Sequence, residues 1–322
     1  MVFHPRRAAA SPQLPAWRYG QPMLAVILAL AASFLFATGT VLQQKAAVTA
    51  SDDQARSAGF LLLLARRPVW LAGVAMDALG FACQAAALGV GQIIVVQPLL
   101  ATTMVFALPL GARITHQRVG PRQVIAAVAV TAGVAAFLFI SRPHGGRNDA
   151  PLTHWLAAGI PLAGAAAVLI LAAARRRPAL KAAMLGTAAG LTFGLGAALT
   201  KATVDRLGDG LLAVLLDWHL YAVIAVGYVS MTLISAALQT RQLAPAIATS
   251  MSVDAVTSIL LGTVLFGEAI RHTPAAVAGS VAALLVMGAG LAVLAAAQPS
   301  EPQPPPVPAP SGPARLARRP AA

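Results

Sequence analysis

The sequence predicts an all-α polytopic membrane protein of about nine transmembrane helices, arranged as two inverted four-helix repeats joined by a connecting helix. Three observations carry that expectation. The 322-residue chain is 58% hydrophobic and only 10% charged, whereas a soluble domain carries about 25% charged residues. Apolar stretches close to the ~20 residues that cross a hydrocarbon core recur along it. The sequence also resembles itself at an offset of 157: Ala31–Leu42 aligns with Ala188–Leu199, with identities at Ala31/Ala188, Ala32/Ala189, Phe36/Phe193, Gly39/Gly196 and Leu42/Leu199.

Residues 1–22, rich in Pro, Ala and Arg, read as a disordered N-terminal tail. The first repeat, residues 23–140, contains spans Met23–Leu42, Val69–Leu88, Ile93–Ala112 and Val124–Ile140. Met23–Leu42 is too long and too well continued by further spans for a signal peptide, so it reads as a retained first helix. The fourth span is the shortest and reaches across if Gln123 lies at the interface. Residues 153–175 supply the connecting helix, Trp155–Ala174. The second repeat, residues 181–296, contains Ala182–Thr200, Leu220–Leu238, Leu243–Phe266 and Pro274–Ala296. Gly111 matches Gly267 near offset 156, and Pro121 matches Pro274. Residues 297–322 form a Pro/Arg-rich tail expected to be disordered. Five helices separate a span from its counterpart, and an odd separation inverts the second copy, which is the arrangement of many secondary transporters.

The formal net charge of +13 would suggest nucleic acid in a soluble protein. Here Lys and Arg lie in loops and tails, including Arg66–Arg67, Arg113/Arg118/Arg122 and Arg175–Arg177, the pattern of topology determinants beside anionic lipid. The loops after the first, third, fifth and seventh spans, with the C-terminal tail, hold fifteen basic residues against eight opposite. The positive-inside rule then places the N-terminus outside the cytoplasmic membrane and the C-terminus in the cytoplasm, although Arg6, Arg7 and Arg18 pull the other way. Lipid is the expected surrounding partner; nucleic acid is not, and a homo-oligomer is compatible with the sequence. The only cysteine, Cys83, falls inside a span, so it excludes an intrachain disulfide and reads as a small packing residue. No phosphate loop, HExxH or nucleophile elbow is present, the six histidines show no ligand spacing, and neither cofactor nor enzymatic activity is expected. Asp52–Asp53 read as a solvated loop.

Two carboxylates break the apolar pattern, Asp77 in the second span and Asp254 in the eighth. A charge at mid-bilayer costs at least ~2.5–3.5 kcal/mol, so it persists as a functional group or as a paired or protonated structural acid. Gly73, Asp77, Gly80 and Gln84 share one helical face, as do Ala246, Ser250, Asp254, Ser258 and Gly262. Ser33, Ala37, Thr40 and Gln44 align in the repeat with Gly190, Gly194, Ala197 and Lys201. Gly186, Gly190 and Gly194 read first as a close-packing stripe. Lys201, near a span end, either snorkels to the interface or serves as counter-charge to one of the acids. Pro98 deprives the Ile94 carbonyl of its usual partner, and that carbonyl beside Gln97 either coordinates a solute or simply marks a kink.

Leu260–Leu294, with Gly267–Glu268 closing a helix before the last one, resembles the C-terminal end of the drug/metabolite transporter superfamily. The earlier copy, Leu110-Gly111-Ala112-Arg113, keeps the glycine and lacks the acid. Trp70–Gly91 followed by Ile93–Arg113 resembles that superfamily's paired helices. Its typical members have ten helices; nine spans together with Gly39–Lys45 (GTVLQQK) resemble the NIPA-like magnesium-transporter branch. The resemblance implies transport of a small solute or cation. The sequence therefore predicts an alternating-access secondary transporter whose pathway includes Asp77, Gln84, Gln97, Ser250, Asp254 and Lys201. The midplane acids would serve as proton or cation sites, with Asp77 and Asp254 the metal candidates if Mg²⁺ is the substrate. The alternatives are a NIPA-like Mg²⁺ transporter specifically, or a non-transporting accessory membrane protein.

Overall fold

The computed structural model describes residues 22–48, 67–116, 119–147 and 149–297. Asp52, Asp53, Arg66, Arg118 and both tails lie outside them. Among the described residues, nine helical segments are long and apolar enough to cross a membrane. They are α1 (Pro22–Val48), α2 (Pro68–Val90), the pair α3 (Ile93–Leu100) and α4 (Thr103–Ile114), α5 (Pro121–Ser141), α6 (Leu152–Ala173), α7 (Pro178–Arg206), α9 (Trp218–Leu238), α10 (Leu243–Val264) and α11 (Pro274–Ala296). A short α8 (Leu211–Leu216) precedes α9. The chain is a multi-pass membrane protein.

Proline sets several of the starts. Pro68, Pro121, Pro178 and Pro274 stand in the first turn, where a missing N–H costs nothing and the fixed φ is already helical. Thr273 caps α11 by accepting the Ala276 N–H. Gln123 accepts the Gly120 N–H at 2.6 Å, and its amide donates to Ala297 O at 3.3 Å. It therefore secures the start of α5, the shortest span in the sequence reading, and ties it to the end of α11.

The third span departs from a continuous helix. The break falls at Ala101–Thr102, three residues beyond Pro98. The Leu99 carbonyl accepts the Thr102 N–H, the Thr102 hydroxyl at 2.6 Å and the Ser33 hydroxyl of α1 at 3.1 Å. Proline loosens the ladder, and the Thr102 hydroxyl takes up the Leu99 carbonyl where it parts; the Ser33 hydroxyl divides between that carbonyl and Ala29 O at 2.9 Å. The other departure from an all-α chain is a two-residue antiparallel bridge, β1 (His144–Gly145) with β2 (Glu268–Ala269).

Glycines set the closest helix approaches. A Cβ at Gly186, Gly190 or Gly194 would overlap α10 at Ala246, at Ser250–Asp254 or at Thr257, so this stripe packs α7 against α10. A Cβ at Gly133 would overlap Ala283 and Met287 of α11, and one at Gly290 would overlap Ala126 and Val130 of α5. The second contact is the first with the partners exchanged, and each residue is displaced by the same 157 positions that relate the two sequence copies. Gly190→Val is expected to push α10 away from α7 and destabilise the protein by about 1–3 kcal/mol. Thermal unfolding in detergent checks this, and an unchanged midpoint would contradict the packing.

Four connections meet at one end of the bundle, after α2, α5, α7 and α10. Gln92 donates to Gly145 O at 2.8 Å, Arg147 donates through its backbone N to Phe266 O at 2.7 Å and through Nε to Leu265 O at 2.8 Å, and Arg271 N donates to Ser141 O at 2.8 Å. We call this the tied end. At the opposite end a cavity of 310 Å³ opens between Thr40 and Gln44 of α1, Met104 of α4, Gln123 of α5, Ile247 of α10 and Leu294 of α11.

Candidate solute pathway and its closed end

Asp77 lies against α1. Gln43 donates to its Oδ2 at 2.5 Å, and a Cβ at Gly39 would overlap its carboxylate. Gly73 and Gly80 of the same face meet Gln43 and Phe36, so α1 and α2 interlock through the stripe read from the sequence. Gln84, two turns further, is half-buried.

Asp254 occupies a different surface. Ser258 donates to its Oδ1 at 3.3 Å, and its backbone is held against Gly190 and Gly194 of α7. Ser250, one turn earlier, is 4% exposed. Ile93 and Ile94 pack at Gly262, while Met104 and Leu108 share the open cavity with Ile247. α3 therefore meets α10 at Gly262, and α4 lines the same open cavity as the start of α10. Gln97 sits on the α3 side of the break, 3% exposed, and its Nε2 has no hydrogen-bond partner among the described residues. Ser250 and Asp254 share the α10 face toward α7, Gln97 is buried on α3, and Asp77 is held against α1.

Lys201 pairs with neither mid-span acid. It lies more than a turn inside α7, which continues to Arg206, and its Nζ contacts Glu268 Oε1 at 2.6 Å and Gly91 O at 2.8 Å. The side chains are 4% and 0% exposed. Glu268 also accepts the Ile93 N–H at 2.9 Å and the Ile94 N–H at 3.0 Å. One carboxylate thus neutralises a buried ammonium and satisfies two of the free donors at the start of α3, where the helix dipole favours negative charge. Gly267 makes this possible: at φ +61° it closes α10 through its N–H to Thr263 O and turns the chain so that Glu268 points back into the bundle. Gly267→Ala is expected to cost about 1–2 kcal/mol through left-handed strain, read as a lower unfolding midpoint; no change would mean the turn relaxes freely.

The same end holds a charged and aromatic cluster. Arg206 bridges Asp149 at 2.9 Å and Asp217 at 3.1 Å, and Asp217 accepts from His219 at 2.5 Å. His219 Nε2 is 3.4 Å from Asp149, a charge contact rather than an aligned hydrogen bond. Trp155 packs edge-on against Trp218, His219 and Phe266. Burial works against the Asp149 carboxylate, but His219, the Ala150 N–H and the Trp155 indole outweigh it and lower its pKa from 3.8 to about 2. A depressed folded pKa gives stability that is present above about pH 4 and is lost as pH falls toward 2. Wild-type unfolding midpoints are therefore expected to drop more steeply than those of Asp149→Asn as the buffer is taken from about pH 5 to about pH 3; parallel curves would contradict the assignment.

Comparison with known proteins follows the same division of the chain. Residues 21–151 match the family model described as magnesium transporter NIPA. This stretch is NIPA-like. It contains Gly39–Lys45 and the paired α2–α3/α4 helices, so the resemblance read from those residues is borne out there, and it stops short of Leu260–Leu294. A Corynebacterium glutamicum protein described only as uncharacterized is 28% identical over 250 residues, which cover 76% of this chain and 86% of that protein. No solved structure matches.

Proposed function

We propose that the chain is a secondary transporter of a cation, Mg²⁺ foremost, working by alternating access between two inverted repeats. The observation that carries this reading is the interrupted third span. A break in one span, a carboxylate at the middle of another, and a bundle with a cavity open at one end and tied off at the other are what many transporters combine at a midplane site. The exchanged α5–α11 contacts support the two-repeat arrangement.

Asp254 is the principal acid in this scheme. The cavity reaches Ile247, and Asp254 lies two turns deeper on the same face, about 10 Å along the helix. Mg²⁺ takes six oxygens and keeps several waters, so one carboxylate, the Ser250 hydroxyl, carbonyls near the break and the Gln97 amide suffice. Turning that amide exchanges its nitrogen for its oxygen. Asp77 and Gln84 line the α1–α2 side of the path as a second acid and a polar contact. We assign Lys201 to the closed end. With the N-terminus outside, the open cavity faces the cytoplasm. Purified protein in liposomes enclosing a Mg²⁺ indicator is expected to give saturable uptake. Flux no greater than that of protein-free liposomes, for Mg²⁺ and for Mn²⁺, Co²⁺ and Ni²⁺, would defeat the proposal.

A further inference from the structure

We infer that the Lys201–Glu268 pair is a one-sided lock that biases the protein toward the conformation open at the cavity end. The inference rests on the alternating-access reading and goes beyond it by naming what holds one state. The lock spans both sequence copies. Lys201 and Glu268 belong to the second, while Gly91 O and the Ile93 and Ile94 N–H groups belong to the first. Separating the copies at this end breaks the three hydrogen bonds that cross between them, uncovers a buried ion pair that lies wholly in the second copy and leaves the first turn of α3 uncapped. The Phe266 ring, 5.2 Å from the Lys201 ammonium, closes the remaining side.

Inverted repeats let one conformation become the other by exchanging the roles of the copies, so each contact at one end has a counterpart at the other. The counterpart of Lys201 is Gln44 at offset 157, and that of Glu268 is Ala112, beside the Gly111/Gly267 match. Neither carries charge. Gln44 lines the open cavity, where the equivalent lock would have to form. The exchange that relates the two ends is thus preserved in the α5–α11 packing and lost in the lock. At the counterpart positions an amide and a methyl group stand where the tied end has its ion pair.

The test uses thiol accessibility in lipid nanodiscs, where both ends meet solution. The background is full-length protein with Cys83→Ser, since Cys83 is the only cysteine. Two reporters are compared: Ile94→Cys, buried beside Glu268, and Ile247→Cys, at the open cavity. Without further changes, Ile247→Cys should react quickly with a charged thiol reagent and Ile94→Cys slowly. Adding the neutral pair Lys201→Met/Glu268→Gln should speed labelling at position 94 by about tenfold or more and slow it at position 247. Adding Gln44→Lys/Ala112→Glu to the otherwise unaltered lock should slow labelling at position 247. If the neutral pair leaves both rates within about twofold, or raises both together, the ion pair is a structural staple and the inference fails. If the rates exchange as stated but no cation is transported, the lock stands and the substrate reading falls.

Discussion

Asp254→Asn is expected to lower cation uptake in liposomes by at least about 100-fold while leaving expression, monodispersity and unfolding midpoint close to wild type. Asparagine has the same shape, keeps an acceptor for the Ser258 hydroxyl and removes only the charge. The backbone around Asp254 is held by Gly190 and Gly194 and does not depend on the carboxylate. Ser258→Ala, which removes the 3.3 Å contact to Oδ1, should cost less, about 10-fold, as expected for a group that orients a ligand. Asp77→Asn separates two roles. Its carboxylate accepts from Gln43 in the tight α1–α2 interface, so a loss of stability with little loss of uptake per folded molecule would mark it as a packing acid. Uptake by Asp254→Asn within a fewfold of wild type would remove that residue from the mechanism and move the site to the α1–α2 side.

The spans were legible because crossing a bilayer demands a length and composition that no tertiary contact can disguise. Even so, the sequence places the end of the sixth span at Thr200, whereas α7 runs on to Arg206. Those six residues change what Lys201 is: a residue at a span end can snorkel, whereas one more than a turn inside needs a buried partner. The partner was legible only as half of a Gly-Glu motif. Nothing local to Glu268 shows that it caps a helix 175 residues earlier in the chain. Pro98 marks the weak turn of the third span, but the span parts three residues later, where the Leu99 carbonyl also meets the Ser33 hydroxyl of another helix. The cluster of Asp149, Arg206, Asp217 and His219 draws on separate segments and has no spacing to read. Asp254, Ser250 and Gln97 stood out because polar atoms in an apolar span are conspicuous without any fold. How α3 and α10 meet, at Gly262, is something sequence periodicity does not contain.

Lys201→Met and Glu268→Gln are expected to be the most destabilising single changes in the protein, each costing about 3–5 kcal/mol, because each leaves the other group buried without its counter-charge. The Glu268 change is the worse of the two. Glutamine still reaches the Ile93 and Ile94 donors but has one acceptor oxygen to divide between them and the ammonium. The double variant should recover much of the loss, since the desolvation of two ions disappears together with their attraction. Unfolding midpoints of the four proteins in one detergent form a cycle that isolates the pair, and residues in direct contact should show coupling well above ~0.5 kcal/mol. Additive single effects would mean that Lys201 is served by Gly91 O alone and that Glu268 serves only α3, two independent caps on the first copy. Strong coupling would make the ion pair the element that holds both caps in place, so that any opening of the tied end has to release them together.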